Sequence, residues 1–252
     1  MAKAIVLAGS SNKESLKKCS NALHESLIKI GNKCMVEYVV DALKESHEVD
    51  GIIVSGPRKY LEGILPENHG LQLVENGPTI LQSLLNALEL LEIKSDSKVL
   101  VVTADIPLIT GEIIDSFLKN CGGEDADFVY PVISKDINQA KFPGVKRTYA
   151  KLKDGVYTGG NIFLINPQII GYCAPKAEEL VSLRKSPLQL VNYIGVRYFF
   201  KYIFRNLSIK DVEQRISQLF NIKGRAIVVT YPEIGVDVDK PSDLELVEKI
   251  LG

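Results

Sequence analysis

Short, unbroken runs of apolar and β-branched residues recur along the chain. Because the apolar positions are continuous rather than alternating, these runs are typical of strands covered on both faces, as in a parallel sheet between helices. They occupy residues 4–8, 51–56, 71–75, 98–104, 127–133, 161–165 and 226–230. Between them, apolar residues recur at a period near 3.6. That period predicts helices at residues 35–45, 79–91, 111–120 and 242–251, and the alternation predicts an α/β fold.

Two regions depart from a simple alternation of strands and helices. Residues 127–165 hold two strand patterns separated by turn formers and lysines, which predicts an antiparallel excursion or a hairpin-like insertion and a mixed sheet. Residues 175–221 contain no strand pattern. There, Pro187 is placed to open one long helix, and the segment from Ser208 to Asp211 resembles a capping box. We expect a single domain over residues 1–252, with a helical insertion at 175–221 before the last strand.

Composition and charge exclude several classes of protein. The 252 residues include 30 Lys and Arg and 31 Asp and Glu, so the net charge of −1 favours no nucleic-acid partner. The first apolar run is too short for a signal peptide, and charges interrupt the apolar stretch at residues 188–207. With four scattered cysteines, we expect a reduced, cytoplasmic protein. The sequence also lacks the short motifs of dehydrogenases, P-loop ATPases, serine hydrolases and zinc proteases.

The first predicted strand ends in a glycine turn. In open α/β sheets, ligands bind outside the carboxyl ends of the strands. Gly9 and the two serines after it can present backbone N–H groups to a phosphate. Lys13, Lys17 and Lys18 follow closely and would supply positive charge. The turn residues alone are equally compatible with an ordinary turn.

Carboxylates stand at two later positions where a ligand site is expected. Asp105 ends the strand at 98–104 and is well placed to bind Mg²⁺, which prefers one or two carboxylates plus substrate phosphates. Asp237 and Asp239 are two residues apart, so they meet one cation only where a strand ends or twists. Two alternatives remain open. Asp105 is compatible with a turn or cap role, and Asp239 with the N-cap of a helix whose first turn holds Pro241.

A series of segments in a fixed order resembles the MobA-like nucleotidyltransferase family. The segments are AIVLAGS, the run from Leu27 to Leu43, GIIVSGP, Gly77-Pro-Thr79, VVTADIPL, TGGNIFLINP and VDVDKPSDL. The resemblance covers residues 1–170 and 225–252 and leaves the helical insertion outside it. It implies a three-layer, Rossmann-like (GT-A-like) fold with a mixed, mostly parallel sheet. It also implies transfer of a nucleoside monophosphate from a nucleoside triphosphate to a phosphorylated acceptor, with release of pyrophosphate.

The resemblance further implies a set of site residues. The residues that would contact the nucleotide are Leu7, Ala8, Gly9, Ser10, Ser11, Gly77, Pro78, Thr79, Thr103 and Ala104. Asp105 would bind Mg²⁺, with Asp237 or Asp239 as second ligand. Gly159, Gly160 and Asn161 would meet the acceptor. Asp105, Asp237 and Lys13 would carry the catalysis.

The first loop departs from the pattern of that family. It lacks the usual second glycine and arginine, and Glu25 or His24 stands in the place of the family's lysine. Charge on the phosphates would then be neutralised by Lys13, Lys17, Lys18 or Lys151. Two other functions stay compatible with the sequence. One is a GT-A-type glycosyltransferase, although Asp105 is not part of an Asp-x-Asp motif, and the other is an inactive nucleotide-binding or regulatory protein.

The helical insertion carries basic and aromatic residues. Arg197, Lys201 and Arg205 recur at i, i+4 and i+8, which places them on one helix face opposite the aromatic residues. This pattern predicts a helix that buries its aromatic face and leaves the basic face in solvent. The alternatives are a homodimer contact, a lid over an apolar acceptor, or attachment to an anionic membrane surface. Arg184 and Lys185 belong to the same basic stripe.

Overall fold

The structure, a computed structural model, describes residues 1–91, 97–123, 125–183 and 187–252. Its strands are β1 (Ala2–Leu7), β2 (Lys29–Ile30), β3 (Lys33–Cys34), β4 (Val49–Gly56), β5 (Leu71–Glu75), β6 (Val99–Thr103), β7 (Phe128–Ser134), β8 (Ala150–Leu152), β9 (Gly155–Gly159), β10 (Ile162–Ile165) and β11 (Gly224–Val229). Its α-helices are α1 (Met35–Glu45), α2 (Arg58–Leu61), α3 (Ile80–Glu89), α4 (Gly111–Cys121), α5 (Lys135–Lys141), α6 (Ile170–Leu183), α7 (Pro187–Ile194), α8 (Val196–Ile203), α9 (Ile209–Phe220) and α10 (Pro241–Leu251). Short 3₁₀ helices lie at Leu16–Lys18, Glu25–Leu27, Pro167–Ile169 and Pro232–Gly235.

The central sheet has the order β5-β4-β1-β6-β10-β7, with β11 on the other side of β7. β1, β4, β5 and β6 run parallel to one another, and β11 runs parallel to β7. β10 is antiparallel to both of its neighbours, β6 and β7. β9 pairs with the distal half of β7, and β8 pairs with β9 as an antiparallel hairpin. The prediction of a mixed, mostly parallel α/β sheet is confirmed.

Helices cover both faces of the sheet, because successive residues of each central strand point to opposite sides. On β1, Ala4 and Val6 pack in a core with α1 and α4, whereas Ile5 packs in a second core with α3, α6 and α9. A third apolar cluster joins α10 to the loops beyond the strands, and Leu16 and Val238 are fully buried in it. That cluster fixes the loops at the carboxyl ends of the parallel strands.

Most predicted elements lie where the pattern places them, and two short helices, α2 and α5, were missed. The helix predicted at 35–45 is α1, and the one predicted at 111–120 is α4. Between β7 and the β8–β9 hairpin, the chain forms α5, where the sequence pattern predicted no helix. Ser134 begins α5 as its N-cap, since the side chain accepts a hydrogen bond from the backbone of Ile137 at 3.2 Å.

The described residues between β10 and β11 form helices joined by short loops and contain no strand, as predicted. The single long helix expected from Pro187 is wrong, because Gly195, with φ of +107°, separates α7 from α8. The capping box is confirmed: Ser208 and Asp211 begin α9 by exchanging side-chain and backbone hydrogen bonds. That these helices belong to a single domain of residues 1–252 stays a prediction.

The predicted burial of the aromatic face of the insertion is wrong. Phe199, Phe200 and Phe204 are exposed, because α8 contacts its neighbour α9 through its polar side. Arg205 lies beyond the end of α8 in a left-handed conformation and does not share a helix face with Arg197. Arg184 and Lys185 lie outside the described residues. Throughout the described ranges, no helix combines the length and apolar character needed to cross a bilayer.

Candidate active site

A cavity of about 740 Å³ opens at the carboxyl ends of β1, β5 and β6. Its walls are the loop after β1, the turn after β5, the end of β6 and the segment before α10. The predicted site residues that line it are Leu7, Ala8, Gly9, Ser10, Ser11, Lys13, Gly77, Pro78, Thr79, Thr103, Ala104, Asp105, Asn161, Asp237 and Asp239. Glu25, Ser26, Asn76, Ile80 and Ser83 also line the cavity. The described lining does not include Gly159 or Gly160.

Backbone hydrogen bonds fix the first loop, residues 8–24, against the sheet. The N–H of Ala8 donates to Ser55 at 2.7 Å, so the loop begins in register with β4. The N–H of Ala104 donates to the carbonyl of Leu7 at 3.0 Å, which ties the end of β6 to the end of β1. The hydroxyl of Ser26 donates to the carbonyl of Ala8 at 2.8 Å. Gly9 and the two serines after it are therefore held at the cavity wall.

Asn12 closes the first loop from inside. Its side chain is buried, and its amide donates to the carbonyls of Ser20 at 3.1 Å and Ala22 at 2.8 Å. Glu25 follows the loop, and its backbone N–H donates to the carbonyl of Ser10 at 3.1 Å. This chain therefore folds the loop without the glycine and arginine that the family pattern would supply. Asn12 was not predicted as a site residue, because a lone asparagine in a polar loop carries no motif.

The turn after β5 is held at the beginning of α3. The N–H of Gly77 donates to the hydroxyl of Ser83 at 3.0 Å, and Thr79 is the N-cap of α3, accepting from Gln82 at 3.1 Å. A Cβ atom on Gly77 would lie 2.4 Å from the side chain of Gln82. A Cβ on Gly9 would lie 2.7 Å from Asn76, so glycine allows these two walls to approach each other. At both positions, the close approach of a neighbouring side chain favours glycine, which an ordinary turn alone would not require.

Three carboxylates converge at the floor of the cavity. One oxygen from each of Asp105, Asp237 and Asp239 lies within 4.8 Å of the others, and we call these residues the carboxylate cluster. The N–H of Val238 donates to the backbone carbonyl of Asp105 at 2.9 Å, which brings the two segments together. Residues 236–239 are irregular rather than a strand, so both aspartates of this segment face the same space. The alternative N-cap role of Asp239 is wrong, because Lys240 is the N-cap of α10.

Two cations contact the carboxylate cluster. The ammonium of Lys13 donates to Asp239 and lies 3.2 Å from Oε1 of the buried Glu25. The guanidinium of Arg147 donates to a carboxylate oxygen of Asp237 and, at 3.0 Å, to its backbone carbonyl. Arg147 was missed, because the segment between α5 and β8 has no motif that marks it.

The other lysines proposed to balance phosphate charge do not reach the cavity. Lys17 pairs with Glu14 on the protein surface, and neither Lys18 nor Lys151 is among the described residues that line the cavity. Of the four candidates, the structure brings Lys13 to the site.

Burial and mutual repulsion shift the pKa values of the cluster apart. Burial raises the pKa of Asp105, which the hydrogen bond from Thr103 offsets only in part. Burial also raises the pKa of Asp237, to about 6, against the opposing charge of Arg147. Burial acts in the same direction on Asp239, but the bond from Lys13 outweighs it and leaves that pKa below its usual value. Burial lowers the pKa of Lys13, yet Asp239 and Glu25 hold it above its usual value. Lys13 and Arg147 therefore balance only part of the negative charge of the carboxylate cluster.

The predicted acceptor residues divide into packing and lining positions. A Cβ on Gly159 would lie 2.1 Å from the hydroxyl of Tyr130, so glycine lets β9 pass close to β7. The N–H of Gly160 donates to Pro131 at 3.0 Å, and that of Asn161 donates to Ile234 at 2.7 Å. Asn161 itself lines the cavity. The structure therefore brings one of the three to the site.

Comparison with known proteins agrees with this architecture. Residues 4–179 match the MobA-like NTP transferase domain. No curated protein sequence matches the chain. A solved structure described as a hypothetical transferase from Thermus thermophilus is 33% identical, with a TM-score of 0.81 over 96% of this chain and 99% of that one.

More distant structures share the fold. The 2-C-methyl-D-erythritol 4-phosphate cytidylyltransferase of Francisella tularensis is 14% identical, with a TM-score of 0.63 over the whole of both chains. The 4-diphosphocytidyl-2C-methyl-D-erythritol synthase of Anaerococcus prevotii is 16% identical, with a TM-score of 0.61 over all of this chain and 98% of that one. At these identities the likeness shows the fold alone. The match over residues 4–179 shows that the chain belongs to the MobA-like NTP transferase family.

Proposed function

We propose that this protein transfers a nucleoside monophosphate from a nucleoside triphosphate to a phosphorylated small molecule, with Mg²⁺ as cofactor and pyrophosphate as the second product. The observation that carries this proposal is the carboxylate cluster beside Lys13, at the floor of a cavity walled by backbone loops. The cluster can hold a divalent cation, and that cation together with Lys13 would offset the mutual repulsion of two anionic substrates.

The residues of the cluster fit Mg²⁺. The ion prefers oxygen ligands from one or two carboxylates and completes its shell with substrate phosphates and water. Asp105 with Asp237 or Asp239 would hold it, and the raised pKa values of Asp105 and Asp237 reflect buried negative charge that a divalent cation would offset. When bound, Mg²⁺ would neutralise charge on the phosphates.

The first loop and the turn after β5 would bind the nucleotide. Backbone N–H groups after β1, at Gly9 and the two serines, suit phosphate oxygens. The ammonium of Lys13 would move from Asp239 toward the triphosphate, because both partners are anions within reach of one flexible side chain. Gly77, Pro78 and Thr79 form the opposite wall, where the base would lie.

The reaction needs little acid–base catalysis by protein side chains. A phosphate oxygen of the acceptor attacks the α-phosphorus and forms the new P–O bond, while the bond to the β-phosphate breaks and pyrophosphate leaves with its electron pair. Because the attacking oxygen is already an anion, no side chain has to remove a proton from it. The role of the chain is therefore to position two anions and to stabilise charge on the leaving group.

Pyrophosphate release tests the proposal. Purified protein is incubated with each of ATP, CTP, GTP and UTP, Mg²⁺ and a pool of phosphorylated metabolites. We expect release with one nucleotide, and a loss of about a hundredfold or more in Asp105→Asn, as for removal of a metal ligand. Asp125→Asn is the matched control, since Asp125 is an exposed carboxylate paired with Lys223 away from the cavity.

Two outcomes would contradict nucleotidyl transfer. Release of a nucleoside diphosphate from a nucleotide sugar, without pyrophosphate, would identify a glycosyltransferase instead. Tight nucleotide binding by calorimetry, with no pyrophosphate release from any of the four nucleotides, would identify a binding protein.

A further inference from the structure

The two sides of α8 are reversed relative to an ordinary surface helix. Its polar side contacts the protein: the ammonium of Lys201 bonds to Asp211 of α9 at 2.6 Å, and the guanidinium of Arg215 lies 5.5 Å from the ring centre of Tyr198. An amphipathic helix on a globular protein normally places its apolar side inward. Here that side is left without a covering element among the described residues.

The outward side of α8 is continuous and apolar. Its members recur at i, i+3, i+4 and i+7 and continue into the residue after the helix: Val196, Phe199, Phe200, Ile203 and Phe204, which we call the α8 patch. Between 37% and 75% of each of these residues is exposed. The ring of Phe200 lies 5.8 Å from that of Phe199 and 6.3 Å from that of Phe204, so the aromatic surface is contiguous. Contiguous exposed apolar surface marks an interaction site more often than scattered single residues do.

The exposed charges at the two ends of the α8 patch are positive. In the sequence, residues 180–210 contain six Lys and Arg and no Asp or Glu, and Asp211 of the neighbouring α9 is paired with Lys201. Arg197 and Arg205, both exposed, stand at the two ends of the patch. A partner with an apolar interior and a negative surface is complementary to this arrangement.

We propose that the α8 patch docks on the surface of an anionic lipid bilayer. The rings would enter the boundary between headgroups and acyl chains, and Arg197 and Arg205 would face lipid phosphates. A second copy of the chain is a poorer fit, because a two-fold contact sets the same patch against itself and brings positive groups together. This inference stands on α8 and its surroundings and does not depend on the reaction catalysed.

Vesicle co-sedimentation of the full chain tests the proposal. The vesicles are phosphatidylcholine alone, or phosphatidylcholine with about a quarter phosphatidylglycerol. We expect binding to the second kind, weakened by salt, and a loss of about tenfold or more in Ile203→Glu. Ile250→Glu is the matched control: it makes the same change on α10, at a residue 49% exposed against 55% for Ile203. Melting temperatures of both variants confirm folding.

A second pair of variants tests the contribution of charge. Arg197→Gln/Arg205→Gln should weaken binding to the anionic vesicles about tenfold, whereas Lys44→Gln/Lys249→Gln, with the same loss of charge elsewhere, should change it little. Equal binding by the two glutamate variants, or no binding by the wild type, would overturn the proposal. So would concentration-dependent dimerisation in sedimentation velocity, abolished by Ile203→Glu, in a protein that ignores vesicles. That result would identify a second copy as the partner.

Discussion

Lys13 lies between two anionic groups that fix where its ammonium sits. Asp239 accepts a hydrogen bond from it, and Glu25, only 2% exposed, lies on its other side. The sequence placed Glu25 or His24 at the position of the family's lysine, and Glu25 lies beside Lys13. Lys13 brings a positive charge to the cavity from the first loop.

Replacement of Lys13 should therefore weaken nucleotide binding. We expect Lys13→Ala to raise the apparent KM for the nucleoside triphosphate about tenfold, the usual cost of losing a hydrogen bond to a charged group. Steady-state pyrophosphate release measures it. Lys17→Ala is the control, since Lys17 lies in the same loop but pairs with Glu14 at the surface. An unchanged KM in Lys13→Ala, or an equal rise in both variants, would exclude this role.

Some site residues could be predicted from the sequence, and others could not. Asp105 could be anticipated, because it lies two residues beyond the end of an apolar strand and such strand ends meet at one edge of a sheet. Arg147 could not, because it lies in an irregular segment and reaches Asp237 only through the tertiary fold. The exposed aromatic side of α8 was also beyond the pattern, since amphipathic spacing shows that a helix has two sides and not which side faces the protein.

At the level of elements, strand ends and helix caps shape the cavity. The N–H of Gly77 in the turn after β5 bonds to the hydroxyl of Ser83, one turn into α3, so this wall of the cavity is tied to the helix. Cap residues explain the elements that sequence predicted well, such as Ser208 at the beginning of α9. Elements that sequence missed depend on features with weak local patterns: α5 is seven residues long, and Gly195 breaks a run whose apolar spacing looks continuous.

A methyl group on Gly77 should disturb the packing of the turn after β5 against α3. The added Cβ would meet the side chain of Gln82 at 2.4 Å and its backbone carbon at 2.9 Å, so the turn must move away from α3. We expect Gly77→Ala to lower the free energy of unfolding by about 1–3 kcal/mol and to weaken nucleotide binding. Urea unfolding and calorimetry measure the two effects.

The matched control is Gly171→Ala within α6, where an added Cβ would meet nothing within 4 Å. Gly171 is the second residue of α6, where alanine fits a helical backbone without strain, so this variant should keep the stability of the wild type and bind nucleotide normally. A Gly77→Ala protein as stable as wild type would show that the contact with Gln82 is not constraining.

At the scale of the whole molecule, the sheet follows from the sequence more directly than the site does. Continuous apolar runs require cover on both faces, which predicts the layered architecture before any contact is known. The carboxylate cluster joins Asp105 to residues more than 100 positions away. It forms because the segment before α10 bonds back to the end of β6, through Val238 and Asp105. No local pattern encodes that contact.

In the metal-free protein, the carboxylate cluster should lower the free energy of unfolding. Three carboxylates share one partly buried space, and the raised pKa values of Asp105 and Asp237 show that the fold disfavours their charged forms. Without metal at neutral pH, Asp105→Asn removes one of these charges, and its amide oxygen can still accept the hydrogen bond from Thr103. We expect it to raise the free energy of unfolding by about 1 kcal/mol, or the melting temperature by about 2–4 °C.

With Mg²⁺ and nucleotide present, wild type should be more stable than Asp105→Asn. In wild type, Mg²⁺ added with the nucleoside triphosphate should raise the melting temperature, because a ligand bound only by the folded state stabilises it. In Asp105→Asn the Mg²⁺-dependent part of the rise should be lost. Asp125→Asn, which removes an exposed carboxylate, should follow wild type in both conditions. Differential scanning calorimetry in EDTA, and then in Mg²⁺ with nucleotide, makes the comparison. A metal-free Asp105→Asn protein less stable than wild type, with an undiminished response to Mg²⁺, would show that the cluster is structural and that metal binds elsewhere.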